Sequence, residues 1–227
     1  MIPSAQRLQQ VEEYYFSRKL REVRQLAADG HPVINLGIGS PDLSPSPEVL
    51  QTLKEAVEEA GAHQYQSYQG LSELRETIAA FYARKFGVSL DPGSEVLPLM
   101  GSKEGIMHIS MAFLNPGDRV LISGLEHHAL ARPTQQLEAR GVERGVVPRS
   151  SDGPLDLERL RDELRRGGVR LVALTAACNV TGELLPVGAA IELAHEHDAL
   201  CLVDGAQVAG WIDLDLGRLG ADLFAFA

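Results

Sequence analysis

The chain has 227 residues, enough for one large domain with a substantial core. Its 44% hydrophobic and 23% charged residues are ordinary for a globular protein, and a formal charge of −10 argues against nucleic acid as the main partner. No apolar run reaches membrane-spanning length, the opening Met1-Ile-Pro-Ser-Ala-Gln-Arg7 lacks the apolar core of a signal peptide, and Cys178 and Cys201 sit in apolar contexts without metal-ligand spacing. These features predict a cytoplasmic protein with reduced core thiols and no membrane partner.

From Arg7 to Ala28 the pattern is helical, with Leu8, Val11, Tyr15, Val23 and Leu26 on one face. Val33 to Leu36 reads as a short strand opening into the breaker-rich Gly37-Ile-Gly-Ser-Pro-Asp42. Ser46 and Pro47 start a helix that Gly61 is placed to cap, and another helix covers Leu71 to Phe86. After Pro92-Gly93 strands and helices alternate strictly. Strands are predicted at 95–100, 119–123, 142–147, 169–175, 200–203 and 223–226. Helices are predicted at 102–114, 129–140, 157–166 and 187–197. Alternation at this spacing means parallel βαβ units with right-handed crossovers. The expected fold is therefore α/β: a three-layer α/β/α domain on a mostly parallel sheet, with an N-terminal helical arm.

Candidate chemistry gathers just after the predicted strands, at the edge where open α/β sheets bind ligands. Ala199 to Val203 carries no charge and delivers Asp204 to a strand end, followed by Gly205, Ala206 and Gln207. A carboxylate there needs a partner, and the protonated ring nitrogen of pyridoxal phosphate is one that fits. A structural Asp capping the next turn fits the segment too. Gly101-Ser-Lys-Glu-Gly105 follows a strand and opens a helix, so its backbone N–H groups suit a phosphate, although a plain tight turn has the same composition. Glu126-His127-His128 follows 119–123, where an imidazole can stack on an aromatic ring or cap a loop. Asn179 and Gly182 follow 169–175; the Asn amide can donate to a ring oxygen or simply stabilise a turn. His195 and His197 lie on a helix away from this edge.

The chain resembles the large domain of fold-type I pyridoxal-phosphate enzymes over nearly all of its length. Up to about Ile122 it is similar to class I/II aminotransferases, especially the LL-diaminopimelate and aspartate aminotransferase-like group. The matching text is Ile34-Asn-Leu-Gly-Ile-Gly-Ser-Pro-Asp42, Tyr65-Gln-Ser-Tyr-Gln-Gly-Leu-Ser-Glu-Leu-Arg75 and Gly101-Ser-Lys-Glu-Gly105. That resemblance implies a substrate-side loop at Gly37, Ile38 and Gly39. It also implies that Tyr65 reaches the cofactor phosphate of a neighbouring subunit in a homodimer, and that Ser102 and Lys103, after Gly101, bind the phosphate within their own subunit. From about Glu126 the text is instead similar to class V, the cysteine desulfurase-like branch, through Glu126-His-His-Ala129, Asn179-Val-Thr-Gly182 and Asp204-Gly-Ala-Gln207. There the resemblance implies that His127 stacks on the pyridine ring, Asp204 pairs with the ring nitrogen, and Asn179 and Gln207 face the phenolic oxygen. A seam near Ser123-Gly124 fits either a hybrid or a divergent natural branch.

In class V the phrase after the last strand is Ser-Gly-His-Lys, whose lysine forms the Schiff base with the cofactor. Phe224-Ala-Phe-Ala227 ends at the start of that phrase, and the lysines present, Lys19, Lys54, Lys85 and Lys103, lack its context. The resemblance thus implies an N-terminal arm over 1–45, an incomplete cofactor-binding large domain over 46–227, no Schiff-base lysine and no C-terminal small domain. The expected activity is pyridoxal-phosphate-dependent amino-group transfer between an amino acid and a 2-oxo acid. The alternatives are a class V reaction such as cysteine desulfuration, or a truncated, non-catalytic or recombinant chain that at most binds the cofactor.

Overall fold

A computed structural model of the chain describes residues 13–37, 39 and 42–226. They fall into two compact units, divided between Tyr65 and Gln66. The first contains α1 (Tyr15–Ala28) and α2 (Pro47–Glu58). The part of the expected first helix before residue 13 lies outside the described residues. At α2 the Ser46 hydroxyl accepts the Val49 N–H and Pro47 occupies the first turn, where its missing N–H costs nothing. The helix stops at Glu58 and Glu59 turns to an extended backbone, so Gly61 is not its cap. Val33 to Leu36 is not a strand. Ile34 and Leu36 are exposed, and no described strand pairs with that segment.

The second unit opens with α3 (Ser72–Phe86), which ends at Gly87 in the left-handed conformation. The predicted strand at 95–100 is absent. Pro98 removes a ladder donor, and the segment has no strand partner among the described residues. Then come α4 (Ser102–Phe113), β1 (Arg119–Ser123), α5 (His128–Glu138), β2 (Glu143–Val147), α6 (Leu157–Arg165) and β3 (Val169–Thr175). They are followed by α7 (Val187–His195), β4 (Leu200–Asp204), a short α8 (Leu216–Leu219) that the sequence reading missed, and β5 (Leu223–Ala225).

The sheet order is β2-β1-β3-β4-β5, and every pairing is parallel. Alternate residues of each strand face opposite helical layers. Val120, Ile122, Leu171, Ala173 and Leu202 join Ile106 of α4 and Leu130 and Leu137 of α5. Leu121, Val172, Leu174, Cys201 and Val203 join Leu160 and Leu164 of α6 and Ala190 and Ile191 of α7. Covering both faces is what lets the strands run apolar throughout, and each fully buried Leu, Ile or Val contributes about 1.5–3 kcal/mol. Both cysteines are buried and free, and burial pushes the Cys201 thiol up to about 12. No helix among the described residues is long and apolar enough to cross a membrane.

A charged cluster holds the amino-terminal end of the sheet. The buried Arg119 guanidinium donates to the Glu143 carboxylate at 2.9 Å and the Glu163 carboxylate at 2.7 Å. It also donates to the carbonyls of Glu163 at 3.0 Å and Gly167 at 2.9 Å. Glu163 is buried as well and takes Arg159 and Arg166 at 2.7 and 2.6 Å. The carboxyl end of the sheet, by contrast, carries an open cleft.

Candidate functional site

A cleft of about 260 Å³ lies at the carboxyl ends of β1, β3 and β4, lined by Ser102, Lys103, His127, Ala129, Thr175, Asn179, Asp204, Ala206 and Gln207. Of the residues expected from sequence, six line it directly: Ser102, Lys103, His127, Asn179, Asp204 and Gln207. Gly101 stands next to them as the residue preceding α4.

Asp204 is the last residue of β4 and only 4% exposed. Its Oδ1 accepts the Ala206 N–H at 3.0 Å, while Oδ2 has no hydrogen-bond donor among the described residues. The capping role and the ligand role are therefore compatible, because each can use a different oxygen. The tight turn after it depends on Gly205, where an added Cβ would lie 2.1 Å from the Phe224 ring.

His127 caps α5. Its Nδ1 accepts the Ala129 N–H at 3.1 Å, so the ring carries its proton on Nε2. Burial and the nearby Lys103 charge push its pKa below the usual histidine value, which keeps the ring neutral at pH 7. A neutral ring lining the cleft has a face to offer to a flat heterocycle.

The N-terminus of α4 has no side-chain cap. Glu104 and Gly105 N–H groups bond back to the Gly101 carbonyl, whereas those of Ser102 and Lys103 have no backbone partner among the described residues. Gly101 has φ 117°, a conformation that L side chains rarely adopt, and this aims the turn. Two free N–H groups, the positive end of the helix dipole and the Lys103 ammonium make this corner receptive to an anion. Asn179 and Gln207 are exposed and make no hydrogen bond to another described residue, leaving both amides available.

Sequence reading missed Thr175, Ala129 and Ala206 as lining residues. Thr175 was recoverable in principle, since it ends β3 and stands in register with Asp204. Its hydroxyl donates to the Ala177 carbonyl at 2.7 Å. Tyr65, Gly37 and Gly39 belong to the other unit, and Ile38 lies outside the described residues. Tyr65 is fully exposed, and the Gly37 N–H donates to Asn35 Oδ1 at 2.9 Å. His195 is exposed and bonds Asp222 at 2.9 Å.

An open carboxylate oxygen, a neutral imidazole, two free amides and an uncapped helix in one cleft match the needs of a phosphorylated, protonated heterocycle. The aminotransferase class-V family model matches residues 47–227, and the chain belongs to that family. Relatives of this class use pyridoxal phosphate. Among curated proteins, the LL-diaminopimelate aminotransferase of Nitratidesulfovibrio vulgaris (strain DSM 19637 / Miyazaki F) is 48% identical over 119 residues, 52% of this chain and 30% of that protein. The LL-diaminopimelate aminotransferase of Halothermothrix orenii is 29% identical over 208 residues, 90% of this chain and 53% of that protein. A solved structure of a double mutant of Thermus thermophilus aspartate aminotransferase shares the fold with a TM-score of 0.73 at 21% identity, covering all of this chain and 60% of that one. The chain thus spans less than two thirds of the length of the relatives it matches.

Proposed function

We propose that this chain supplies the cofactor-binding face of a pyridoxal-phosphate-dependent aminotransferase that moves an amino group between an amino acid and a 2-oxo acid. The observation that carries the reading is the meeting of Asp204's open oxygen with the uncapped start of α4 in one cleft. When bound, pyridoxal phosphate supplies an electron-withdrawing ring that stabilises negative charge developing at the α-carbon of an amino acid.

Asp204 would hold the proton on the ring nitrogen, with its Ala206 bond fixing the carboxylate plane. The N–H groups of Ser102 and Lys103 would bind the phosphate, helped by the Lys103 ammonium. His127 would cover one ring face and keep water from it. Asn179 and Gln207 would donate to the phenolic oxygen. By family resemblance Tyr65 would reach a phosphate across a homodimer, and the loop at Gly37, Ile38 and Gly39 would meet the substrate carboxylate. Two buried free thiols fit a cytoplasmic setting.

A class V reaction such as desulfuration of cysteine is the second reading, favoured by the family match and by the set of Asn179, Asp204 and Gln207. The shared step in both readings is cofactor capture. Titrating the purified chain with pyridoxal 5'-phosphate, followed by near-ultraviolet absorbance, should give saturable binding that inorganic phosphate competes away. Absence of saturation, or indifference to phosphate, would remove the basis of the proposal.

A further inference from the structure

Glu126 joins the end of β1 to the end of β3, through a backbone N–H that lies 49 residues from it in sequence. Its Oε1 accepts the Ser123 hydroxyl at 2.5 Å and the Thr175 N–H at 3.0 Å, and its Oε2 accepts the same N–H at 2.9 Å. Ser123 Oγ in turn accepts the Leu125 N–H at 3.1 Å, folding the turn that carries His127 back onto β3. Thr175 pairs in register with Asp204, and the Ala176 N–H donates to the Asp204 carbonyl at 2.8 Å. One carboxylate thus connects the turn bearing the imidazole to the β3 end that pairs with the aspartate.

We propose that Glu126 is a positioning residue for the cleft: its carboxylate holds the His127 turn against the Thr175–Asp204 edge, and protonating it loosens the grip on a pyridoxal-phosphate-type ligand. This inference rests on the functional reading above. The Glu126 carboxyl is pushed up to about 7: burial raises it most, the Ser123 and Thr175 donors pull it down, and the negative charge of Asp204 adds to the rise. The charged and titratable groups around this corner are Asp204 from β4, Lys103 from α4, His128 and Arg132 from α5, and His127 in the turn itself. Asp204 acts on Glu126 directly, and all five except His127 act on His127. The brace is therefore intact in alkaline solution, where both oxygens accept as a carboxylate, and weakens as pH falls through neutrality.

The test compares pyridoxal 5'-phosphate dissociation constants of the wild type and Glu126→Gln across pH, after circular dichroism establishes that both are folded. Taking the ratio cancels the ligand's own titration. The ratio should be roughly fivefold near pH 8, the difference between a charged and a neutral acceptor, and fall towards one near pH 6. Ser123→Ala removes a donor that lowers the Glu126 pKa, so in that background the fall should move to higher pH. It also carries the test if Glu126→Gln does not fold, because the affinity profile of Ser123→Ala should then fall at a higher pH than that of the wild type. A ratio that is the same at both pH values overturns the inference. Failure of the wild type to bind at any pH overturns the functional reading instead. The inference then stands or falls on the His127 ring resonances, which should follow the Glu126 titration in the wild type and lose that inflection in Glu126→Gln.

Discussion

The Asp204 carboxylate divides its two oxygens between tasks: Oδ1 takes the Ala206 N–H at 3.0 Å, and Oδ2 is left without a donor among the described residues. Replacing Asp204 with Asn keeps an acceptor for Ala206 but cannot hold a proton on a ring nitrogen. Asp204→Asn should weaken pyridoxal 5'-phosphate binding about tenfold or shift the absorbance of the bound ligand, with little change in melting temperature. An unchanged titration would refute the ring-nitrogen role.

His127 has a structural and a ligand-facing duty that can be separated. Asn is a good helix N-cap, so His127→Asn should keep the start of α5 while losing the ring face. His127→Ala loses both and should cost about 1 kcal/mol of stability in addition. Urea unfolding alongside ligand titration distinguishes the two variants; equal stability losses would contradict the capping role seen at 3.1 Å.

At Gly101 a Cβ meets nothing within 4 Å, so crowding does not explain the glycine; the φ of 117° does. Gly101→Val should strain the backbone by about 1–3 kcal/mol and turn the Ser102 and Lys103 N–H groups away. Thermal melts with and without inorganic phosphate check this. The phosphate-induced rise in melting temperature should be present in the wild type and absent in the variant.

The Arg119 cluster sets a pH-dependent part of the stability. Burial alone would raise the Glu163 carboxyl, but Arg119, Arg166 and Arg159 overcome it and hold the pKa below the ordinary 4.5. A depressed carboxylate pKa contributes stability above the unfolded value, and that stability is lost as pH falls towards the folded value. Arg119→Met should cost about 3 kcal/mol near pH 7, because it strips a partner from a buried charge. The difference from wild type should shrink below about pH 4, as read by urea denaturation at the two pH values.

Much of the cleft was legible because its residues sit at predictable places. Ala199 to Val203 is too apolar and too short for anything but a buried strand, so the position of Asp204 followed from it. Gly101 with Ser102 marks a helix-opening turn by composition alone. Glu126 was passed over because its role depends on Thr175, and only folding brings that amide to it. The misread strands at 33–36 and 95–100 share one cause. Local patterning reports a willingness to extend, whereas a strand also needs a neighbour with free hydrogen-bonding groups. Tyr65 is a different case: its expected role lies across a subunit boundary, where a single chain holds no geometry.

The contact between Gly205 and the Phe224 ring bears on how this site can change over generations. Any side chain at 205 collides with the ring at 2.1 Å, whereas a smaller residue at 224 would first open that space. Variation at the two positions is therefore ordered in time. A change at 224 eases a change at 205, so a one-step library at 205 should return mostly glycine, while one built on Phe224→Ala should return several residues and reshape the turn beside Asp204.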